Sequence, residues 1–263
     1  MTLNLLRWSI ALLILLPLGR AMLRPGSGLW RDWRRYSLLG LPGVGLYNSL
    51  QYLALQTSTP INVTLVAAGM PVWMMLVGAL FFKAPLRPGH LVGALLSMAG
   101  VLLVLARGDW QQLLALRLVA GDLYMVLATI AWSFYSWLLA QPKDRAAVRA
   151  DWAAFLLAQV MYGVIWSGAL AALEWTSAPR RIDWSWQVAA VLAFVAVGPA
   201  VTAFRCWGAG VQRAGPTIAA FFSNLTPLFA ALLSLLFLKE APHLYHLAAF
   251  VLIAGGIAWS ARA

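Results

Sequence analysis

The chain has 263 residues, 62% of them hydrophobic and only 10% charged, with a mean hydropathy of +0.80 and a formal net charge of +11. A soluble domain carries about 25% charged residues, so a water-soluble fold of this size would lack a polar coat, and the surrounding solvent must be mostly lipid. The basic excess does not indicate nucleic acid: the arginines cluster between apolar runs, where they orient a membrane protein and meet anionic headgroups. A single cysteine, Cys206, excludes an intramolecular disulfide framework and a thiolate metal cluster.

A helix needs about 20 apolar residues to cross about 30 Å of hydrocarbon. The first run, 3–23, follows Met1 almost directly, but no small-x-small cleavage site leads into a polar mature domain, so it reads as a retained span rather than a signal peptide. Eight more follow at 36–56, 60–82, 88–106, 118–140, 151–173, 186–208, 215–238 and 243–261. The breaks carry the expected punctuation, among them Arg24-Pro25-Gly26, Gln141-Pro142-Lys143, Ala178-Pro179-Arg180 and Ala241-Pro242. The runs are too long and too uniformly apolar for barrel strands, and backbone in lipid must satisfy its own hydrogen bonds. The predicted fold is therefore an all-α integral membrane protein with nine transmembrane helices.

If the spans alternate, Arg20, Arg24, Arg31, Arg34, Arg35, Lys83, Arg87, Lys143, Arg145, Arg149, Arg213 and Arg262 share one face. The other holds Arg7, Arg107, Arg117, Arg180, Arg181 and Lys239. The richer face is expected to be cytoplasmic, which predicts a multi-pass inner-membrane protein with its C-terminus inside.

The stretch from Pro60 to Gly100 returns without a gap from Pro216 to Gly256, an offset of 156 residues. Pro71 falls on Pro227, Lys83 on Lys239 and His90 on His246. Five spans separate the two lysines, so equivalent points lie on opposite sides of the membrane; this predicts an inverted repeat of five-span units, a common plan in secondary transporters. The units expected are 1–106, with four spans, and 118–263, with five, joined by a connecting loop at 107–117. The first unit is one helix short: a first helix is missing ahead of Met1, either lost from the protein or left out by a late start of the reading frame.

Three stretches carry a family resemblance: Tyr47-Asn48-Ser49-Leu50-Gln51-Tyr52, Gly121-Asp122-Leu123 through Ala131-Trp132-Ser133-Phe134-Tyr135, and Asn224-Leu225-Thr226-Pro227-Leu228-Phe229 closing with Leu236-Phe237-Leu238-Lys239-Glu240. Together they resemble the two EamA-type units of the drug/metabolite transporter superfamily. The resemblance implies ten helices, an inverted repeat and transport of small metabolites, often outward. The chain departs from it in the missing first helix and in Ala84, which stands where the second unit has Glu240.

Polar residues inside spans are costly and mark candidate functional sites. All eight carboxylates fall in breaks or at span ends, so a proton-coupled exchanger built on a central acid is not expected. Asp122 is either a proton carrier or an acid favoured at a helix start. The amides Asn48, Gln51, Asn62, Asn224 and Gln159, with Tyr52, suit a substrate bearing several donors and acceptors, or else join helices as packing contacts. Pro71 and Pro227 interrupt their helices at equivalent places, as symmetric gating kinks or as packed bends. Arg205 reads as the only basic residue inside a span, able to attract an anionic group or to snorkel. Trp132, Tyr135 and Trp207 are candidates to line a cavity, while Trp30, Trp33, Trp110, Trp175, Trp184 and Trp186 fit an interfacial belt. The small residues Gly93, Ala94, Ser97 and Gly100, with Ala248, Ala249, Gly255 and Gly256, read as close helix contacts, either internal or at a homodimer seam.

No catalytic constellation, metal-ligand set or phosphate-binding loop appears, so neither enzymatic activity nor a cofactor is expected. The reading is a secondary transporter moving a small polar or amphipathic metabolite, amino acid-like and outward, by alternating access at a site between the repeat units. A non-transporting membrane scaffold and an intramembrane enzyme are the alternatives.

Overall fold

The computed structural model of the protein describes residues 1–107, 109, 111, 117, 119–177, 182–239 and 243–262. Trp110, Arg180, Arg181, Glu240, the breaks at 178–180 and 241–242 and most of the connecting loop at 107–117 lie outside the described residues. All regular structure among the described residues is helical, as a chain that must pair its own backbone groups in lipid requires.

The expectation of nine full crossings is not reproduced. Among the described residues, six helices are long and apolar enough to span a membrane: Pro88–Leu105, Ala120–Ala140, Trp152–Thr176, Trp186–Ala214, Pro216–Leu238 and Leu244–Arg262. A seventh exists if Pro60–Ala68 and Met70–Phe82, bent by 43°, form one crossing. The first apolar run yields a helix of 17 residues, Thr2–Leu18. The second is divided into Trp33–Gly40, a wide i→i+5 turn at Leu41–Leu46, and Tyr47–Thr57. The physical reason is polarity: Arg34 and Arg35 at its start and Asn48, Ser49 and Gln51 within it leave this run less apolar than the six, whereas a wide turn of the same kind is carried inside the full crossing Trp186–Ala214.

The chain packs as two compact units, Met1–Leu53 with Phe134–Arg213, and Ala54–Ser133 with Ala214–Ala263. Each combines a segment with its copy 156 residues further on. In the first unit, Thr2–Leu18 lies against Trp152–Ser177. Thr2 Oγ1 donates to Glu174 Oε2 at 2.8 Å, Asn4 Nδ2 donates to Ser167 Oγ at 3.1 Å, and Gly19 lies against the Ala153 carbonyl. Residue numbers rise along one helix as they fall along the other, so the two copies run antiparallel.

The second unit repeats this arrangement. Pro88–Leu105 packs against Leu244–Arg262 with Gly93 on Gly256 and Gly100 on Ala249. The offset carries Gly93 onto Ala249 and Gly100 onto Gly256, so one contact is made twice, once from each side. An inverted repeat is thus written directly into the packing. This small-residue seam lies within one chain, where the reading as a homodimer seam had placed a partner. Ala248 and Gly255, counted with the seam by composition, face outward.

Finer features also repeat. Lys83 and Lys239 both close their helices in the left-handed region, at φ 57° and 58°, with backbone N–H groups donating to the Gly78 and Ser234 carbonyls. The wide turn at Leu41–Leu46 has its counterpart at Ala196–Thr202, around Gly198 and Pro199. The two interrupted helices do not match. Pro71 and Pro227 stand at the second residue of Met70–Phe82 and Thr226–Leu238, where no backbone donor is needed. The breaks fall just before them, at Gly69 and at Asn224-Leu225. The first bends by 43°, whereas Pro216–Leu238 runs as one crossing of 23 residues. Leu225, the counterpart of Gly69, packs on the core of Val101, Leu228 and Ile253, a hold that glycine cannot provide.

Candidate functional site

The first unit contains a cavity of about 270 Å³ lined by aromatic rings and cationic or amide groups, including Tyr135, Trp152, Phe155, Gln159, Phe204 and Arg205. Trp152, Phe155 and Gln159 lie at i, i+3 and i+7 of one helix and so share a face. Tyr135 is 1% exposed and its hydroxyl donates to Gln159 Oε1 at 3.0 Å, while Gln159 Nε2 is held by the Phe155 carbonyl at 3.0 Å. The Tyr135 ring fits because of Gly43 in the wide turn, where a Cβ would stand 2.6 Å from Tyr135 Cδ2. Arg205 is exposed, and its guanidinium lies 4.4 Å from the Trp152 ring centroid, a cation–π arrangement. Arg149, also at the cavity, is committed to Asp144 Oδ2 at 3.3 Å, and Asp144 is gripped on both oxygens by Arg35 at 3.0 Å. Arg205 and Arg213 make no ion pair among the described residues, so the cavity keeps net positive character.

A second cluster in the same unit is centred on Arg7. Charge counting had assigned this arginine to a membrane face and left Arg205 as the only basic residue inside a span. In the structure Arg7 lies within Thr2–Leu18 and is 4% exposed. Its Nη1 donates to Asn48 Oδ1 and to the Tyr52 hydroxyl, both at 3.0 Å. Asn4, Arg7 and Trp8, at i, i+3 and i+4, share the buried face of the helix. The signal was present in the sequence: a cation a few residues inside an apolar run, with an asparagine one turn before it. Gln51, half-buried, follows Asn48 by three residues.

Asn62 and Asp122 meet in the second unit. Asn62 Nδ2 donates to Asp122 Oδ2 at 3.1 Å and to the Arg117 carbonyl at 2.9 Å; the same carboxylate accepts from the Ser58 hydroxyl and from the Val119 N–H at 2.8 Å. This knot ties the Pro60 helix to the start of Ala120–Ala140. Asn224 is 2% exposed and its Nδ2 donates to Ser97 Oγ at 2.8 Å and to the Ala68 carbonyl at 3.3 Å. Ala68 is the counterpart of Asn224 under the 156-residue offset, so the side chain joins the two helix breaks to each other. Trp132 is buried in this unit, whereas Trp207 belongs to the first, with Nε1 donating to Ser136 Oγ at 3.1 Å. Trp30, Trp33, Trp175, Trp184 and Trp186 are all exposed. The polar candidates thus gather in four places rather than one: Tyr135 and Arg205 at the cavity, Asn48 and Tyr52 at Arg7, Asn62 at Asp122, and Asn224 at Ser97. Among the described residues no group of three or more His, Cys, Asp or Glu could hold a metal ion.

The profile of the EamA-like transporter family matches residues 1–106 and 119–262. The chain belongs to the EamA-like transporter family. As a member it is an all-α, multi-pass membrane transporter, with a small molecule as its substrate. It is 25% identical over 226 residues to an uncharacterised transporter of Archaeoglobus fulgidus, covering 86% of this chain and 74% of that one. It is 27% identical over 229 residues to the aromatic amino acid exporter YddG of Ancylobacter novellus, covering 87% of this chain and 75% of the relative. A solved crystal structure matches it with a TM-score of 0.71 and 25% identity, covering 98% of this EamA-like chain and 85% of the other.

Proposed function

We propose that this EamA-like protein is a secondary transporter that exports an amino acid-like substrate with an aromatic side chain, by alternating access across the inner membrane, with its C-terminus in the cytoplasm. The observation that carries this reading is the cavity of the first unit. Its volume of about 270 Å³ lies near the lower end of the range for small-molecule sites. Trp152, Phe155 and Phe204 line it and give it aromatic surface for an aromatic side chain. Arg205, exposed at the cavity, supplies positive charge that attracts an anionic substrate, and Gln159 with Tyr135 supplies directed hydrogen bonding. The name of the Ancylobacter novellus relative, an aromatic amino acid exporter, supports the same substrate class. Unequal bending of the two interrupted helices suits alternation, because an inverted repeat reaches its opposite-facing state when the two copies exchange conformations. The carboxylates described at Asp122, Asp144 and Glu174 are engaged by protein donors, which supports a gradient-driven carrier over a central-acid exchanger.

The test is counterflow. Purified protein in liposomes preloaded with unlabelled L-phenylalanine should transiently accumulate labelled L-phenylalanine, and Arg205→Gln should reduce the initial rate several-fold. Absence of counterflow for phenylalanine, tyrosine and tryptophan by monodisperse, folded protein refutes the substrate class.

A further inference from the structure

We propose that Arg7, Trp8 and Asn48 form a carboxylate-recognition subsite inside the first unit. The inference rests on the transporter reading above and names the group of the substrate that this cluster takes. It starts from unmet hydrogen bonds. Arg7 Nε, Trp8 Nε1 and Asn48 Nδ2 are buried and have no partner among the described residues. Buried donors are paired in almost all native structures, and those that are not call for a ligand or another specific explanation. All three are donors, gathered around one guanidinium. A fourth orphan, Asn4 Oδ1, is an acceptor.

The geometry selects the ligand. Arg7 Nη1 is occupied by Asn48 Oδ1 and Tyr52 Oη at 3.0 Å, which anchors one edge of the guanidinium. The other edge, Nε with Nη2, is the fork that receives a carboxylate through two parallel hydrogen bonds, and Nε is unmet. Asn48 turns its oxygen to Arg7, which leaves its Nδ2 as a donor beside the same charge. The Trp8 ring lies 5.3 Å from the Arg7 guanidinium carbon, so its N–H belongs to the same neighbourhood. Arg7 has no ion pair among the described residues. A buried cation with unmet donors beside it, and no anion paired with it among the described residues, is complementary to a small planar anion. The cluster also adjoins the cavity: Phe204 lines the cavity and stands edge-on to Trp8 at 4.7 Å. The aromatic part of a substrate would occupy the cavity while its carboxylate reached the Arg7 fork.

The experiment follows the unfolding midpoint of the purified full-length chain during titration with sodium benzoate, L-phenylalanine or phenethylamine. Benzoate and L-phenylalanine should raise the midpoint as ligands of the folded state; phenethylamine, which has no carboxylate, should not. Arg7→Lys keeps the charge but removes the fork, and should weaken the benzoate response at least tenfold. Asn48→Asp places a carboxylate on Arg7 from within the chain. It should raise the ligand-free midpoint and abolish the benzoate response, an outcome that remains informative if Arg7→Lys fails to fold. A benzoate response without an L-phenylalanine response keeps the subsite and overturns the amino acid reading. The subsite is overturned by any of three results: no benzoate response in the unmodified protein, an equal response to phenethylamine, or an undiminished benzoate response in Asn48→Asp.

Discussion

Replacing Gly93 by alanine tests the reciprocal helix seam of the second unit. A Cβ at Gly93 would stand 2.6 Å from the Gly256 carbonyl oxygen and 2.9 Å from Ser260 Cβ. An ordinary contact begins near 3.4 Å, so the backbones must separate by 3.4 − 2.6 = 0.8 Å. The obstacle is main chain, which cannot rotate away. A separation of about 0.5–1 Å forfeits a quarter to a half of each dispersion contact along the seam, and overpacking of this kind costs about 1–3 kcal/mol. Alanine also gains about 1 kcal/mol over glycine in a helix interior, which would mask part of the loss. Gly255→Ala supplies the control, because Gly255 neighbours the seam residue Gly256 but has open space where a Cβ would go. The difference between the two variants isolates the packing cost. At about 2–4 °C per kcal/mol for a chain of this size, Gly93→Ala should melt about 2–12 °C below Gly255→Ala in the same detergent, followed by tryptophan fluorescence. Equal midpoints, or a higher one for Gly93→Ala, would refute the close approach of the two helices.

Asp122→Ala removes an acceptor shared by Ser58, Asn62 and the Val119 N–H, and should destabilise the protein by about 1–3 kcal/mol in thermal melts. Asn224→Ala should cost a similar amount by stranding Ser97, and the double variant Asn224→Ala/Ser97→Ala should lose less than the sum of the two, with a coupling of about 0.5–3 kcal/mol; strict additivity would show that the bond contributes nothing. Gly43→Ala drives a methyl group into the Tyr135 ring, and should raise the counterflow half-saturation for L-phenylalanine more than it lowers the melting midpoint. An unchanged half-saturation would remove Tyr135 from the substrate cavity.

Much of the architecture was legible in the chain because lipid imposes severe and simple rules. Long apolar runs had to become helices, and the 156-residue offset between Pro60 to Gly100 and Pro216 to Gly256 required two related units. The span count was less legible. The run at 36–56 holds Asn48, Ser49 and Gln51 and falls short of a full crossing, and hydropathy does not register that Gly69 lets a helix bend by 43°. For the candidate site, sequence identified several of the polar residues, among them Tyr135, Arg205, Asn48 and Tyr52, but not their partners. Arg7 was visible as a cation inside an apolar run, yet nothing local says that Asn48 and Tyr52, more than 40 residues away, face it.

The sequence by itself therefore determined the solvent, the helical class and the repeat. Tertiary structure decided how the repeat is used. It paired each segment with its own inverted copy, so that Gly93 meets Gly256 where Ala249 meets Gly100, and Asn224 bonds the carbonyl of its counterpart Ala68. It also left Arg7 Nε, Trp8 Nε1 and Asn48 Nδ2 without acceptors among the described residues. The reason is physical: apolarity and periodicity are properties of single segments, whereas hydrogen-bond satisfaction and backbone proximity belong to pairs of segments and exist only once the chain has folded.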